Sequence, residues 1–331
     1  MKNTLVLYES KYGFTKMAAW QAALVLGPGK CMRFSEFNNN KQEWDLIVLL
    51  IPVYYEKLDE EAVENIKNNL DRLKRGKIVL FCTCLVKDYA KKYLQPVSDL
   101  LGSSVVFQEG IPGNLILKQL DQEDRVRTAS FLESAGLKEQ DYLCFDQNWY
   151  IDTLLGIKEW KDNPTEAMDE KKILEFCEEF LLNHNTCSLS TGYGKRVRAT
   201  PIEYRYKNGF LYILSEGGEK FANILLSPNV SVAVFNEFQG MNQLRGMQIK
   251  GTSEIIETGS EEYCDFLAMR KLKYENVMKL PSSLYLIKIT IKRIEFLWSG
   301  FREMGVDVKQ FLTFSDPVSY THLRAHETAA N

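Results

Sequence analysis

The pattern of the chain changes near residue 163, and that change most limits what the sequence can fold into. Up to about Leu137, apolar runs alternate with helical stretches. After Asn163-Pro164 and one further helix, almost every segment reads as a strand. Strands alternating with helices imply a parallel sheet covered on both faces. Short strands joined by tight turns imply an antiparallel barrel. At 331 residues the expected number of domains is two.

In the first half, Thr4-Leu5-Val6-Leu7-Tyr8 reads as a buried parallel strand. Ser10, Lys11, Tyr12, Gly13, Phe14 and Thr15 follow, and then a helical pattern with Ala18, Ala19, Ala22 and Leu24. A strand, a short hydroxyl- and glycine-bearing loop, then a helix is a phosphate-binding arrangement. Backbone N–H groups and the positive end of the helix dipole converge on one point. Gly13 allows close approach, and Ser10 and Thr15 add hydroxyl donors. The loop has neither the Walker spacing nor Gly-x-Gly-x-x-Gly, so neither a nucleoside triphosphate nor NAD is its natural guest. Further strands are expected at 30–34, 45–53, 77–84 and 104–107, and helices at 59–73, 88–101 and 121–134. Ligands of such sheets bind beyond the carboxyl ends of the strands, here the loops 10–15, 52–57 and 83–88.

These residues resemble a flavodoxin-type domain, of the short flavodoxin-like kind that includes bacterial protoporphyrinogen oxidase. The resemblance implies a doubly wound α/β fold over residues 1–140, with FMN phosphate at residues 10–15. Flavodoxins use the loop after the third strand to stack an aromatic on the flavin. Tyr12, Tyr54 and Tyr55 are the candidates here, and the alternative is that these rings simply pack. Lys11 departs from the family, which leaves this loop neutral. It either pairs with the phosphate or points to solvent. Asp59, Glu60, Glu61 and Glu64 would disfavour a reduced, anionic flavin nearby, or they are ordinary helix-start acids. Residues 141–163 read as an irregular aromatic connection.

The second half opens with a helix expected at 166–182, with proline near its first position. Strands are expected at 186–191, 196–206, 210–215, 230–235, 247–256 and 284–296, with helices at 220–226 and 261–273. Asn208-Gly209 between alternating runs is a hairpin signal. The feature order Cys187-Ser188-Leu189-Ser190-Thr191, Arg198-Ala199-Thr200-Pro201, Lys220-Phe221-Ala222-Asn223 and Gln248-Ile249-Lys250-Gly251 resembles the pyridoxamine-phosphate-oxidase-like split barrel. The resemblance implies a β split barrel over residues 164–316 that binds FMN, commonly at a homodimer interface. A barrel lacks a long helix aimed at its ligand, so phosphate needs cationic side chains. Arg198 and Lys220 could supply them, Ser215 a hydroxyl, and the backbone at Ala199 and Thr200 and the Gln248 amide partners for the polar edge of the flavin. The alternatives are a cross-strand bridge from Arg198 to Glu203 and a solvated Lys220. The barrel family also includes haem-handling and non-catalytic binders, so haem is the alternative cofactor there.

Composition narrows the remaining classes. Net charge is −3, which argues against a nucleic-acid binder. No apolar run is long enough to span a bilayer. Met1-Lys2-Asn3-Thr4 leads straight into a strand, so no signal peptide is expected. Seven cysteines lack metal-ligand spacing and suggest a reducing, cytoplasmic setting. Cys82 and Cys84 share one face of a strand and are expected as core residues rather than a dithiol. Residues 317–331, which include His322 and His326, resemble translated transposase adapter from sequencing-library preparation, and the His-x3-His pair is therefore discounted. That leaves His184, expected at a helix end where it complements the dipole. The combined expectation is an FMN-dependent oxidoreductase or electron-transfer flavoprotein, with one FMN per domain and a small-molecule or protein redox partner. The alternatives are a protoporphyrinogen-oxidase-like enzyme and a non-catalytic flavin or haem binder.

Overall fold

The computed structural model of the protein describes residues 2–37 and 42–314. The tail at 317–331, with His322 and His326, lies outside the described residues. The chain divides into two compact units between Asp162 and Asn163. Among the described residues, no helix is long and apolar enough to cross a membrane.

The first unit runs β1 (Thr4–Tyr8), α1 (Phe14–Leu26), β2 (Gly29–Arg33), α2 (Phe34–Phe37), β3 (Leu46–Tyr54), β4 (Lys57–Leu58), α3 (Glu60–Asn68), α4 (Leu70–Leu73), β5 (Lys77–Cys84), α5 (Ala90–Leu101), β6 (Val105–Pro112), β7 (Asn114–Leu115), α6 (Gln122–Ser134), β8 (Tyr142–Leu143) and α7 (Gln147–Asp162). Its main sheet has the order β2-β1-β3-β5-β6, all parallel, with β4 antiparallel on β3. The strands β1, β3 and β5 are continuous apolar runs because both faces are covered. Leu5, Leu49 and Leu80 pack on one side with Ile66 and Leu94, while Val6, Val48 and Phe81 pack on the other with Ala19 and Tyr150. The doubly wound sheet expected from the alternation is the observed one.

Several boundaries differ from the expected ones. The helix expected at 59–73 divides at Asn69, which caps α3 and precedes α4. The helix expected at 88–101 starts as a 3-10 turn, Lys87–Tyr89, and becomes α-helical only at Ala90. The irregular stretch expected at 142–160 is mostly α7, with Tyr150, Leu154, Ile157 and Lys161 buried. That spacing is helical, but the lysine within it and the scattered aromatics obscured the stripe. Tyr150 donates to Ala18 O at 2.9 Å, which fastens α7 to α1. Cys82 is fully buried, and Cys84 is 5% exposed, as expected of core residues.

The second unit runs α8 (Glu170–Asn183), β9 (Thr186–Tyr193), β10 (Arg196–Glu203), β11 (Arg205–Lys207), β12 (Phe210–Ser215), α9 (Glu219–Leu226), β13 (Asn229–Phe235), β14 (Arg245–Ile256), α10 (Glu261–Met269), α11 (Tyr274–Val277), β15 (Tyr285–Trp298) and β16 (Lys309–Thr313). The sheet order is β10-β9-β13-β14-β15-β12-β11, antiparallel throughout, with β16 also on β15. The strand expected at 196–206 bends at Tyr204. Its first part pairs with β9 and its second with β12, so one chain segment joins the two ends of the sheet and closes the split barrel. Tyr204 is 1% exposed, and its hydroxyl donates to Leu181 O at 2.8 Å. Asn208 and Gly209 both have positive φ, 50° and 83°, as a tight primed hairpin turn requires. α8 begins later than expected, because Asp169 rather than the proline caps it. Strand β16 was not anticipated. It runs along the second half of β15, beyond the part that β12 covers.

Lys161 is 2% exposed. Its ammonium donates to Leu26 O at 2.5 Å and Gly27 O at 3.1 Å, the carbonyls at the end of α1, and lies 3.5 Å from the Asp162 carboxylate. Lys161→Met leaves those buried carbonyls short of a donor and should cost about 3 kcal/mol. The expected readout is a lower urea midpoint for the α/β unit, with the barrel transition unchanged.

Candidate cofactor sites

The α/β unit has a cleft at the carboxyl ends of β1, β3, β5 and β6, bounded on its outer side by α6. The loop 10–15 forms its floor. Gly13 caps α1 at φ 88°, a left-handed conformation that glycine adopts without strain. Its N–H donates to Ser10 Oγ at 3.0 Å, which curls the loop. Thr15 Oγ1 lies 2.8 Å from Thr83 Oγ1, in a buried pair that joins this loop to the end of β5. The N–H groups of the first turn of α1 have no intrahelical acceptors, and α1 has no side-chain cap. Phe14 also lines the cleft, with its ring edge-on to Phe145.

Of the aromatic candidates, Tyr12, Tyr54 and Tyr55 all line the cleft, and Tyr89 and Tyr93 join them from the next loop. The Tyr54 hydroxyl accepts from Lys11 N–H at 2.9 Å, so the ring is held across the loop 10–15. Tyr55 and Glu56 have φ of 51° and 59° in the turn between β3 and β4. Two consecutive non-glycine residues in this region store strain at the rim of the site. Asp59 acts as the cap of α3, accepting from Ala62 N–H at 2.9 Å, with Glu60 and Glu61 in the first turn. This is the ordinary helix-start role.

Lys11, about half exposed, pairs with two carboxylates. Its ammonium lies 2.8 Å from Asp121 and 2.7 Å from Asp124, both at the start of α6. The Tyr12 hydroxyl also donates to Asp124. The two carboxylates push the Lys11 pKa up, Asp121 most strongly. Burial and then the bond to Asp124 push the Tyr12 hydroxyl up to about 12. Burial would raise the Asp124 carboxyl, but the bonds from Lys11 and Tyr12 outweigh it and hold it below the usual range. The sequence marks Asp121 as a helix start. Nothing in it pairs residues 11 and 124.

In the barrel, α9 lies against β9 and β10 and brings several candidates together. Lys220 is 8% exposed, and its ammonium donates to Gly217 O at 2.5 Å. Burial, and then the charge of Arg198, lower its pKa. Arg198 bonds Glu219 at 2.8 Å, at the start of α9, rather than Glu203. Glu203 is taken by Arg205 and Arg270. Arg198 pairs across the ladder with Thr191, and Thr200 with Leu189. Arg198 and Thr200 therefore share the face that α9 covers. Two buried acceptors here have no partner, Thr200 Oγ1 and Asn223 Oδ1. Asn223 is fully buried and donates only to Thr191, at 3.2 Å. Buried polar atoms without partners are uncommon; the Thr200 hydroxyl can donate to a phosphate oxygen, whereas Asn223 Oδ1 accepts only and fits a ligand N–H or O–H. Ser215 ends β12 just before the turn that carries Lys220 and is 9% exposed.

The remaining candidates are not gathered there. Gln248 pairs with Ala233, which pairs with Ser188. This row faces away from Leu189 and Ile249, so the Gln248 side chain is on the opposite face from Thr200 and is exposed. The Ala199 side chain is on that outer face too, which leaves the expectation for its backbone untouched. His184 has Nδ1 at 2.7 Å from Phe180 O and Nε2 at 2.8 Å from Asn236 Oδ1, so both ring nitrogens are engaged.

Comparison with known proteins accounts for both units. Residues 5–135 match the flavodoxin domain family, and residues 173–298 match the pyridoxamine 5'-phosphate oxidase family. No curated protein matches the chain. Among solved structures it is similar to a FAD-binding protein from Mesorhizobium loti, at 19% identity over 37% of this chain and 89% of that one, TM-score 0.29. It is also similar to General Stress Protein 26 of Bacillus anthracis, at 18% identity over 43% and 98%, TM-score 0.32. A third is HutZ, the haem storage protein of Vibrio cholerae, at 17% identity over 42% and 94%, TM-score 0.31. The chain thus joins a flavodoxin domain and a pyridoxamine 5'-phosphate oxidase-type split-barrel domain in one polypeptide.

Proposed function

We propose that the protein is an FMN-dependent oxidoreductase that uses its two domains as linked electron carriers. The observation that carries this reading is the cleft over the first turn of α1, where Gly13, Ser10 and Thr15 surround unpaired backbone N–H groups. FMN supplies the one- and two-electron chemistry when bound. Ser10, Thr15 and the α1 amides bind its phosphate, and Tyr54 and Tyr55 flank its ring. In the barrel, Lys220 and Arg198 take a second phosphate, with the Thr200 and Ser215 hydroxyls as further donors and Asn223 Oδ1 accepting from a flavin N–H or ribityl hydroxyl. Joining both sites in one chain raises the effective concentration of one at the other. A small molecule or a redox protein supplies or takes the electrons. The barrel pairs as a homodimer, and the protein works in the cytoplasm.

The test is the number of FMN molecules per chain after incubation of the full-length protein with excess FMN. The expected result is two. Thr15→Ala should weaken one site about tenfold, for loss of one hydroxyl bond to a charged phosphate. Lys220→Ala should weaken the other by about 10- to 100-fold. A chain that takes no FMN, but gives a Soret band on adding haem, overturns the reading.

Lys220 also predicts a pH profile. Its folded-state pKa lies below the ordinary 10.5. The ammonium that holds the phosphate is therefore present at lower pH and is lost as pH rises through the depressed value. FMN affinity of the barrel should fall over that window. Lys220→Met should bind weakly at every pH and show no such fall.

A further inference from the structure

We propose that α6 is a strap across the cofactor cleft and that its side-chain bridges gate flavin entry and exit. The inference rests on the flavin reading of that cleft and adds a device to it.

The segment 116–141 leaves and rejoins the α/β unit at one place. β7 before it and β8 after it pair as a two-residue ribbon, Asn114 with Leu143 and Leu115 with Tyr142. Leu117 N–H donates to Asp141 at 2.8 Å, which ties the two ends again. A segment with adjacent ends can swing as a unit. Along α6 itself, only Asp124 and Leu132 of thirteen residues are buried. Val126 is 68% exposed. So little apolar burial places α6 at the low-stability end of the domain.

The segment is instead held by polar bridges to two loops of the cleft. Asp121 and Asp124 take Lys11 and Tyr12 of the phosphate loop. The Arg127 guanidinium lies 4.7 Å from the centre of the Tyr55 ring, in the strained turn after β3. Leu120, Asp124, Thr128 and Phe131 face the cleft between these anchors. A ligand whose phosphate reaches the first turn of α1 while its ring reaches Tyr54 and Tyr55 touches both anchored loops. With the strap closed, α6 confines it. With the bridges broken, the cleft opens on that side. The Lys11–Asp121 pair is about half exposed at both ends, so salt screens it.

A gate and a rigid brace predict different kinetics. Removing a gate speeds binding and release together. Removing a brace that shapes the loop speeds release only. The experiment is stopped-flow FMN fluorescence on the full-length chain, with Lys220→Ala in every sample to confine the signal to the α/β domain. In Asp121→Asn/Asp124→Asn, both association and dissociation rate constants should rise at least tenfold. Raising salt should speed association in the parent and not in the double variant. Arg127→Gln, at an exposed position, should raise both rates by a smaller factor and keeps the test open should the double variant not fold. Faster release with unchanged or slower association overturns the strap while leaving the flavin reading intact. No FMN binding to the parent overturns the flavin reading, and the strap with it.

Discussion

A helix leaves N–H groups unpaired at its start and carbonyls unpaired at its end, and the two ends of α1 are satisfied in opposite ways. At the end, the buried Lys161 ammonium meets the Leu26 and Gly27 carbonyls within the protein. At the start, no side chain caps the helix, and its N–H groups face a cleft. One end is closed by a residue 135 positions away in the chain, and the other opens on the cleft where we propose the ligand binds. The sheet, with β1 between β2 and β3, and α7 pressed on α1, keep these two ends apart and the helix rigid between them.

The barrel meets the binding role proposed for it by different means. Its helix α9 is short, so charge comes from side chains rather than from a dipole. Lys220 is held nearly buried by Gly217 O, and Arg198 is held by Glu219. Keeping an ammonium this dry lowers its pKa, a cost that an incoming phosphate would relieve. The orphaned acceptors Thr200 Oγ1 and Asn223 Oδ1 lie along the same α9-covered surface. In the first domain, by contrast, the positive charge near the loop is already neutralised, because Lys11 is spent on Asp121 and Asp124.

What could be read from the sequence follows the range of the interactions. Continuous apolar runs and turn dipeptides are local signals, so the strands β1, β3 and β5 and the Asn208-Gly209 turn were legible. The loop 10–15 was legible because its chemistry depends on adjacent residues. α7 was missed because a lysine sits in its buried stripe and an aromatic-rich start hides the period. β16 was missed because a five-residue run beside a turn has little signal of its own. The partners of Lys11, Tyr12 and Arg198 were missed for a different reason. Each pairs with a carboxylate 21 or more positions away, and only the completed fold decides which of many acids arrives there. Feature order named Gln248 but could not show that its side chain takes the strand face opposite Thr200, because that depends on register.

The bend at Tyr204 has a consequence for how the barrel is made. The β9–β10 hairpin and the β11–β12 hairpin are both local, and they share one strand across the bend. The two can therefore form as a single S-shaped unit of about thirty residues from local contacts alone. The β12–β15 pairing spans some seventy residues, and its closure entropy grows only slowly with that length. Once β15 docks on β12, the same unit already presents β9 as a template for β13. Ring formation thus needs one slow, long-range encounter rather than two, and a break at Tyr204 would turn one nucleus into two separate hairpins.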